Sequence, residues 1–171
     1  SHKAYYEQWA ENWEFQALLK ARPVAGDPDL GQAYMDMTRP FVWTASKRDN
    51  FVYDCQQMRK RVEDLIPAPL KDREIKLGRG GLRDVEFTVQ MLQLVHGRAD
   101  ETLRTSSTLE SLQRLAEGGY VSRRQAKKLS WDYRFERVME HHQQMWALKR
   151  THLFPDLGKA SLGGIERKRD T

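Results

Sequence analysis

The glycine-rich, basic stretch IKLGRGGLRDVEF, residues 75–87, holds the residue types in this sequence that could do chemistry. Its glycines are Gly78, Gly80 and Gly81, and its bases are Lys76, Arg79 and Arg83. Glycine lets a backbone approach a ligand closely, and a helix N-terminus adds unpaired N–H groups and a partial positive charge. Because a glycine-rich entry into a helix commonly binds phosphate, the stretch predicts an anion site. The alternative is an ordinary loop, since Gly-Gly followed by Arg and Asp occurs in many loops.

Polar residues that follow the glycines could support this site or serve the helix alone. Asp84 falls in the first helical turn, where it either stabilises the helix dipole or holds an arginine in register. A polar stripe runs down one side of the same, otherwise apolar, helix at steps of three and four residues; it consists of Arg83, Glu86, Gln90 and Gln93. Such a stripe faces either water or a cleft.

The remaining candidates have structural explanations of their own. Lys20 and Arg22 lie at the end of a predicted helix, where cations favour the helix dipole, so they are either helix-terminal residues or supporting residues of the site. His141 and His142 are adjacent and lack the spacing of metal ligands, and Cys55 lies on an apolar helical face. The sequence therefore predicts no metal site.

Apolar residues recur at helical spacing through most of the chain, which predicts an all-α bundle of about six helices. The predicted helices span residues 3–21, 28–39, 47–65, 81–95, 108–117 and 123–150. The fourth carries apolar residues on two sides, as suits a central helix. Polar and apolar residues alternate only over 74–77, which predicts one short extended segment. We expect a helical domain over 1–155 and a flexible tail or linker over 156–171.

Length, charge and hydropathy limit the classes of function. The 171 residues suit one domain, and the 29 Lys and Arg exceed the 24 Asp and Glu by five. Acids and bases alternate along the helices, so the sequence predicts no nucleic-acid partner. No apolar run approaches the roughly 20 residues of a membrane span, and a single cysteine suits a reducing compartment. We therefore expect no membrane partner and a cytoplasmic location.

Five stretches in this order resemble the bacterial glutamine synthetase adenylyltransferase family, whose members are also called adenylyl-removing enzymes. They are WEFQALLKARPVAGD (13–27), IKLGRGGLRDVEF (75–87), LVHGRADETLR (94–104), STLESLQRLAEGGYV (107–121) and RTHLFP (150–155). The Gly-Gly-Leu-Arg-Asp element is also similar to one in the uridylyltransferases that modify the PII protein. LVHGR and RTHLFP look more like the N-terminal, adenylyl-removing half of the two-headed enzyme.

The resemblance implies a helical domain that follows a nucleotidyltransferase catalytic domain. In the family, that catalytic domain binds Mg²⁺ through carboxylates after a Gly-Ser turn, and no such turn with paired aspartates occurs here. The resemblance thus implies no catalytic residue in this chain, which alone would be inactive. Mg²⁺ and ATP, ADP or phosphate would act in the parent enzyme, and none would bind this chain tightly.

The implied function is to help form the nucleotide and phosphate site for reversible adenylylation of glutamine synthetase, and to make regulatory contacts. Lys76, Arg79, Gly80, Gly81 and Arg83 would contact phosphate, with Asp84, Glu86, Lys20 and Arg22 in support. The implied partners are the catalytic domain of the same polypeptide, glutamine synthetase and PII. The alternative is a non-catalytic scaffold that docks PII or glutamine synthetase.

Overall fold

A computed structural model describes residues 1–148 and 151–154. Over these residues the chain forms seven α-helices: α1 (His2–Gln8), α2 (Asn12–Leu18), α3 (Pro28–Thr44), α4 (Phe51–Asp64), α5 (Leu82–His96), α6 (Thr108–Glu117) and α7 (Arg123–Ala147). Three short 3-10 helices, Ala45–Lys47, Ala68–Arg73 and Glu101–Leu103, lie between them. The prediction of an all-α fold is confirmed.

The first predicted helix is in fact two helices, α1 and α2. The chain breaks at Ala10, whose carbonyl accepts a 2.8 Å hydrogen bond from Arg48 Nη2. Glu11 and Glu14 then form a reciprocal capping box that begins α2. A long-range arginine contact and a local cap therefore replace the continuous helix that the aromatic spacing predicts.

Two other helix boundaries differ from the prediction for backbone reasons. Helix α3 continues through Pro40 to Thr44, whose hydroxyl donates a 2.7 Å hydrogen bond to the Pro40 carbonyl. Helix α4 begins at Phe51 rather than near residue 47, because Asn50 adopts a left-handed conformation with φ of 56°. Helices α6 and α7 begin where predicted, at residues 108 and 123, because Ser107 and Ser122 cap them.

The extended segment predicted over 74–77 is wrong for most of its length. Only Glu74 forms a β-bridge, with Leu153, and residues 75–77 form a turn. A four-residue alternation was too short to distinguish a strand from a turn. The end of the sixth predicted helix at residue 150 and the tail over 156–171 lie outside the described residues.

Two apolar clusters form the core, and α5 contributes to both. The first cluster is built around Phe15, Val42, Phe51, Cys55 and Leu94. The second joins the N-terminal half of α5 to α6 and α7; its buried members are Val85, Val89, Leu103, Leu112 and Leu115. Helix α5 is therefore central, as its two apolar sides predict. Among the described helices, none is long and apolar enough to cross a membrane.

Candidate functional site

The glycine turn, residues 74–81, leads into α5 and is closed by the side chain of Glu74. The Glu74 Oε1 atom accepts hydrogen bonds from the backbone N–H groups of Lys76 at 3.0 Å and Leu77 at 3.2 Å. The neighbouring segment braces the turn, because the Ile75 N–H donates to the His152 carbonyl at 3.0 Å. The turn is thus fixed by contacts from both sides.

The glycines of the turn are required by its own backbone. A Cβ on Gly78 would lie 2.3 Å from the Glu74 carbonyl oxygen, and one on Gly81 would lie 2.4 Å from that of Ile75. Gly80 has open space around it but adopts φ of 79°, a conformation that disfavours other residues. The sequence feature that predicts close ligand approach therefore has a conformational explanation at all three glycines.

The backbone amides at the start of α5, which the sequence predicts to bind an anion, already have acceptors within the protein. Five successive N–H groups, at residues 80–84, each donate a hydrogen bond within the protein. Their acceptors are, in order, Asp84 Oδ2 at 2.6 Å and the carbonyls of Gly78, Ile75, Lys76 and Gly81 at 2.9–3.1 Å. These five amides are therefore not free to bind an anion.

Arg59 of α4 anchors the glycine turn from the interior, a role that the sequence did not reveal. Its Nε donates to Asp84 Oδ1 at 2.6 Å, and its Nη2 donates to the carbonyls of Leu77 at 3.0 Å and Gly78 at 3.1 Å. Arg59 is only 8% exposed. Of the two roles predicted for Asp84, the structure shows that it holds an arginine in register.

The basic side chains predicted to contact phosphate have different environments. Arg79 is exposed and has no partner within the described residues. Arg83 is partly exposed and pairs with Glu86 at 3.1 Å. Lys76 is partly buried, and its Nζ pairs at 2.9 Å with Glu140 of α7. Gly80 is exposed, whereas Gly81 is buried.

Glu140 is the most buried carboxylate near the turn, and cations surround it. Its side chain is 2% exposed and pairs with Lys76 through one oxygen and with Arg137 at 2.6 Å through the other. His152 Nδ1 lies 3.3 Å from the oxygen that Lys76 contacts. Burial alone would raise the pKa of Glu140, but Lys76, Arg137 and His152 lower it below its ordinary value.

Lys20 belongs to the same region, although it is distant in sequence. Its Nζ donates a 2.9 Å hydrogen bond to Thr108 Oγ1 at the start of α6. Partial burial of the ammonium lowers the pKa of Lys20, Glu86 raises it, and Arg83 and Arg137 lower it further. Arg22, by contrast, is exposed and makes no contact with these residues in the described structure.

We call these residues the basic cluster; its cations are Lys20, Lys76, Arg83 and Arg137, and its carboxylates are Glu86 and Glu140. Tyr133 of α7 links α7 to α5, because its hydroxyl donates to Glu86 Oε1 at 3.0 Å. Arg137, Tyr133 and Glu140 were not predicted from the sequence, because charges alternate along α7 as on a solvated helix.

The predicted polar stripe on α5 is mostly internal. Gln90 is 7% exposed and accepts a 3.1 Å hydrogen bond from Gln16. Gln93 is 3% exposed, and its Nε2 donates to the carbonyls of Leu103 at 2.7 Å and Thr105 at 2.8 Å. The stripe therefore faces neither water nor a cleft at these two positions; it satisfies buried polar groups.

A small pocket of about 230 Å³ lies between the glycine turn and α7. Arg79 and Gly80 line it together with Phe135, Glu136 and Phe154. Burial, together with the charges of Asp132 and Asp84, raises the pKa of Glu136 to about 7. One of its oxygens is buried without a hydrogen-bond partner in the described structure.

A larger groove lies elsewhere on the molecule, and no predicted site residue lines it. It measures about 830 Å³ and lies between the end of α2, α3 and the segment at 98–106. Among residues 1–148 and 151–154, no group of three or more His, Cys, Asp or Glu side chains could hold a metal ion. The chemically distinctive part of the described structure is therefore the glycine turn with the basic cluster.

Comparison with known proteins agrees with the resemblance seen in the sequence. A family model described as GlnD PII-uridylyltransferase matches residues 54–163, which include the glycine turn and most of the basic cluster. A second, described as glutamate-ammonia ligase adenylyltransferase, matches residues 1–37.

Curated relatives match the chain at high identity. A bifunctional glutamine synthetase adenylyltransferase/adenylyl-removing enzyme of Bifidobacterium longum (strain DJO10A) is 88% identical over 170 residues, 99% of this chain. Proteins of the same name from Mycolicibacterium smegmatis and Mycobacterium tuberculosis are 61% and 57% identical over 156 residues, 91% of this chain. In each case the chain spans 16% of the relative's length.

The resemblance inferred from the sequence motifs is therefore confirmed. The chain belongs to the GlnD PII-uridylyltransferase family, in the form carried by bifunctional glutamine synthetase adenylyltransferase/adenylyl-removing enzymes.

Proposed function

We propose that this chain is the helical domain, over residues 1–155, of an enzyme that adenylylates glutamine synthetase and removes the adenylyl group. It lines one side of the nucleotide and phosphate site, opposite a catalytic domain elsewhere in the same polypeptide. The enzyme acts in the cytoplasm on glutamine synthetase and responds to PII. The isolated chain has no activity, because it contributes no catalytic residue.

The observation that supports this proposal is a rigid turn that presents basic side chains. Arg59, Glu74 and Asp84 hold the turn from within. Arg79 is exposed on the turn, and Arg83 follows it, partly exposed. Basic groups held in position before the ligand arrives stabilise developing charge without a reorganisation cost.

In the proposed removing reaction, an oxygen of inorganic phosphate attacks the phosphorus of the adenylyl group on a glutamine synthetase tyrosine. The new oxygen–phosphorus bond gives ADP, and the bond to the tyrosine oxygen breaks, so that oxygen takes up a proton. Arg79 and Arg83 stabilise the charge on the phosphoryl oxygens by charge-assisted hydrogen bonds. Gly80 leaves space for this approach, while Lys76 and Gly81 support the turn.

The two carboxylates in the first turns of α5, Asp84 and Glu86, do not fit a role as Mg²⁺ ligands. Asp84 is bound to Arg59 and to the Gly80 amide, and Glu86 is bound to Tyr133 and Arg83. Two-metal phosphoryl transfer needs free carboxylates to hold its ions. We therefore assign Mg²⁺ and the nucleotide to the catalytic domain, and no catalytic step here depends on a metal bound by this chain.

The proposal is tested with Arg79→Ala and Arg83→Ala in the whole enzyme. Each variant loses a charge-assisted contact to phosphate. The rate of phosphorolytic removal of the adenylyl group should therefore fall by about tenfold or more, with folding unchanged. Arg134→Ala is the matched control, since Arg134 is exposed on α7 and has no partner within the described residues. Unchanged turnover in both test variants would refute the proposed phosphate contact.

A scaffold function is the second candidate, and an exposed apolar stripe on α7 favours it. Trp131 and Phe135 are 66% and 52% exposed, and their rings stack 5.6 Å apart. Val138 extends the stripe by one turn. Exposed apolar patches of this kind mark protein interfaces, here with PII, glutamine synthetase or the neighbouring domain.

The two candidates differ in what Arg83→Ala changes. A scaffold predicts weaker association with the neighbouring domain or partner and unchanged nucleotide and phosphate affinity. A phosphate contact predicts weaker phosphate affinity and unchanged association with the neighbouring domain or partner. Calorimetric titration of the wild-type and Arg83→Ala enzymes with phosphate and with each protein partner separates them.

A further inference from the structure

We infer that Lys20, Arg83 and Arg137 together form an inorganic phosphate site on the basic cluster. Sequence patterns assigned no role to Arg137 and gave Lys20 only a supporting one. The inference deepens the proposed function, on which its part in catalysis rests. Its structural basis is the convergence on one surface of three cations, from α5, from α7 and from the turn that follows α2.

Helices α5 and α7 bring the two arginines to the same level. Tyr133 meets Glu86 at 3.0 Å, while Glu140, further along α7, meets Lys76, which precedes α5. The two helices therefore run antiparallel. Arg137 lies one helical turn beyond Tyr133, and Arg83 lies one turn before Glu86, so the two arginines lie at the same level of the helix pair.

Lys20 approaches the same surface from the end of α2. The Thr108 hydroxyl positions its ammonium, and this bond uses only one of the three ammonium protons. The charges of Arg83 and Arg137 both act on Lys20, as does that of Glu86. Lys20 is thus within electrostatic range of both arginines and retains donors for a ligand.

The carboxylates of the basic cluster do not neutralise its cations. Glu140 is shared by Lys76 and Arg137, and Glu86 pairs with Arg83. Four cationic side chains therefore face two carboxylates in the described part of the chain. The excess positive charge lies at the surface, because the side chains of Arg83 and Arg137 are 36% and 39% exposed.

Phosphate is the anion that best suits this arrangement. Arginine presents a planar fork of donors that matches a phosphate bidentately, and lysine adds a compact charge. The helix-start amides are already occupied, so side chains must supply the donors. Arg83 would then serve both the proposed phosphate contact and the new site.

The test is calorimetric titration of the whole polypeptide with inorganic phosphate alone, without adenylylated substrate. Lys20→Met and Arg137→Met should each raise the dissociation constant for phosphate by about tenfold, since each removes one charge-assisted contact. Arg137→Lys should give an intermediate value, because it keeps the charge and loses the fork. Arg134→Met, on the same helix, should bind phosphate as the wild type does.

Three results would overturn the inference: no phosphate binding by the wild type at millimolar concentration, unchanged binding in Lys20→Met and Arg137→Met, or equal weakening in Arg134→Met. Thermal unfolding of each variant establishes that it is folded, and Arg137→Lys serves as the test if Arg137→Met is not. Failure of the proposed function is separate, since it is measured as unchanged adenylyl removal in Arg79→Ala and Arg83→Ala.

Discussion

Arg59 and Asp84 are joined by a 2.6 Å ion pair between Nε and Oδ1, and this pair attaches the glycine turn to the core. The second carboxylate oxygen of Asp84 accepts the Gly80 amide, so one side chain links α4, the turn and the start of α5. The arginine side chain is 10% exposed and the aspartate 34%. The turn therefore depends on a charge pair that is largely removed from water.

Removal of Asp84 should destabilise the fold. Asp84→Ala leaves the Arg59 guanidinium buried without its carboxylate, which should lower the free energy of unfolding by about 3 kcal/mol. Asp64→Ala, an exposed change at the end of α4, is the control and should alter stability by less than about 0.5 kcal/mol. Urea unfolding of the three proteins measures both effects. Equal stability of wild type and Asp84→Ala would show that the pair does not anchor the turn.

The two adjacent glycines should respond differently to alanine. Gly81→Ala places a Cβ 2.4 Å from the Ile75 carbonyl oxygen, so the backbone must shift, and we expect a loss of about 3 kcal/mol. Gly80→Ala meets no neighbouring atom and costs only its left-handed conformation, about 1 kcal/mol. Gly80→Asn should cost less, because asparagine tolerates that conformation. Denaturant midpoints that rank Gly80→Ala below Gly81→Ala would contradict this explanation.

Local signals predicted the fold well wherever local chemistry determined the structure. The serine caps at Ser107 and Ser122 begin α6 and α7, because their side chains accept hydrogen bonds from the first turn. The break between α1 and α2 was not predictable in this way. It depends on Arg48, which is distant in sequence and donates to the Ala10 carbonyl.

The turn at the start of α5 was predictable from the sequence, but the contacts that hold it were only partly so. The glycines predict close approach of a ligand, and holding an arginine is one of two roles that the sequence leaves open for Asp84. Nothing local identified Arg59 as that arginine. Glu140 was not predictable, because its long-range pair with Lys76 joins two residues that each look like a surface charge in the sequence. Arg137 pairs with Glu140 on the same helix, where alternating charges are typical of a solvated face. Periodicity shows which side of a helix a residue occupies, not which element covers that side.

Glu140 should stabilise the protein in a pH-dependent way. Its cationic neighbours lower its pKa below the ordinary 4.5, so the folded state favours the carboxylate. This stabilisation is complete above the unfolded-state pKa and is lost as pH falls through the lower, folded-state pKa. Glu140→Gln should therefore lose about 3 kcal/mol at pH 7.

The difference between wild type and Glu140→Gln should be present at pH 7 and should shrink as the pH falls below about 4.5. Urea unfolding at a series of pH values measures it. Glu117→Gln, at the exposed end of α6, is the control for removal of a carboxylate. If the difference in stability between wild type and Glu140→Gln is equally large in acid, ionisation of Glu140 is not its cause.

Glu136 should have the opposite effect. Burial and the charges of Asp132 and Asp84 raise its pKa to about 7, so the folded state favours the protonated form. The associated stability is fully present below the unfolded-state pKa near 4.5 and is lost as pH rises through about 7. Glu136→Gln removes this dependence. It should match the wild type in acid and exceed its stability above pH 7, by on the order of 1 kcal/mol given the partial exposure of the side chain.

Denaturant unfolding of the wild type and Glu136→Gln at intervals from pH 5 to pH 9 measures this difference. Asp132→Asn provides a second comparison, because removal of that charge should lower the pKa of Glu136 and move the wild-type transition toward acid. If Glu136→Gln and the wild type are equally stable above pH 7, the Glu136 carboxyl is solvated in the folded protein. The same result would mean that the pocket between the glycine turn and α7 admits water to both oxygens of Glu136.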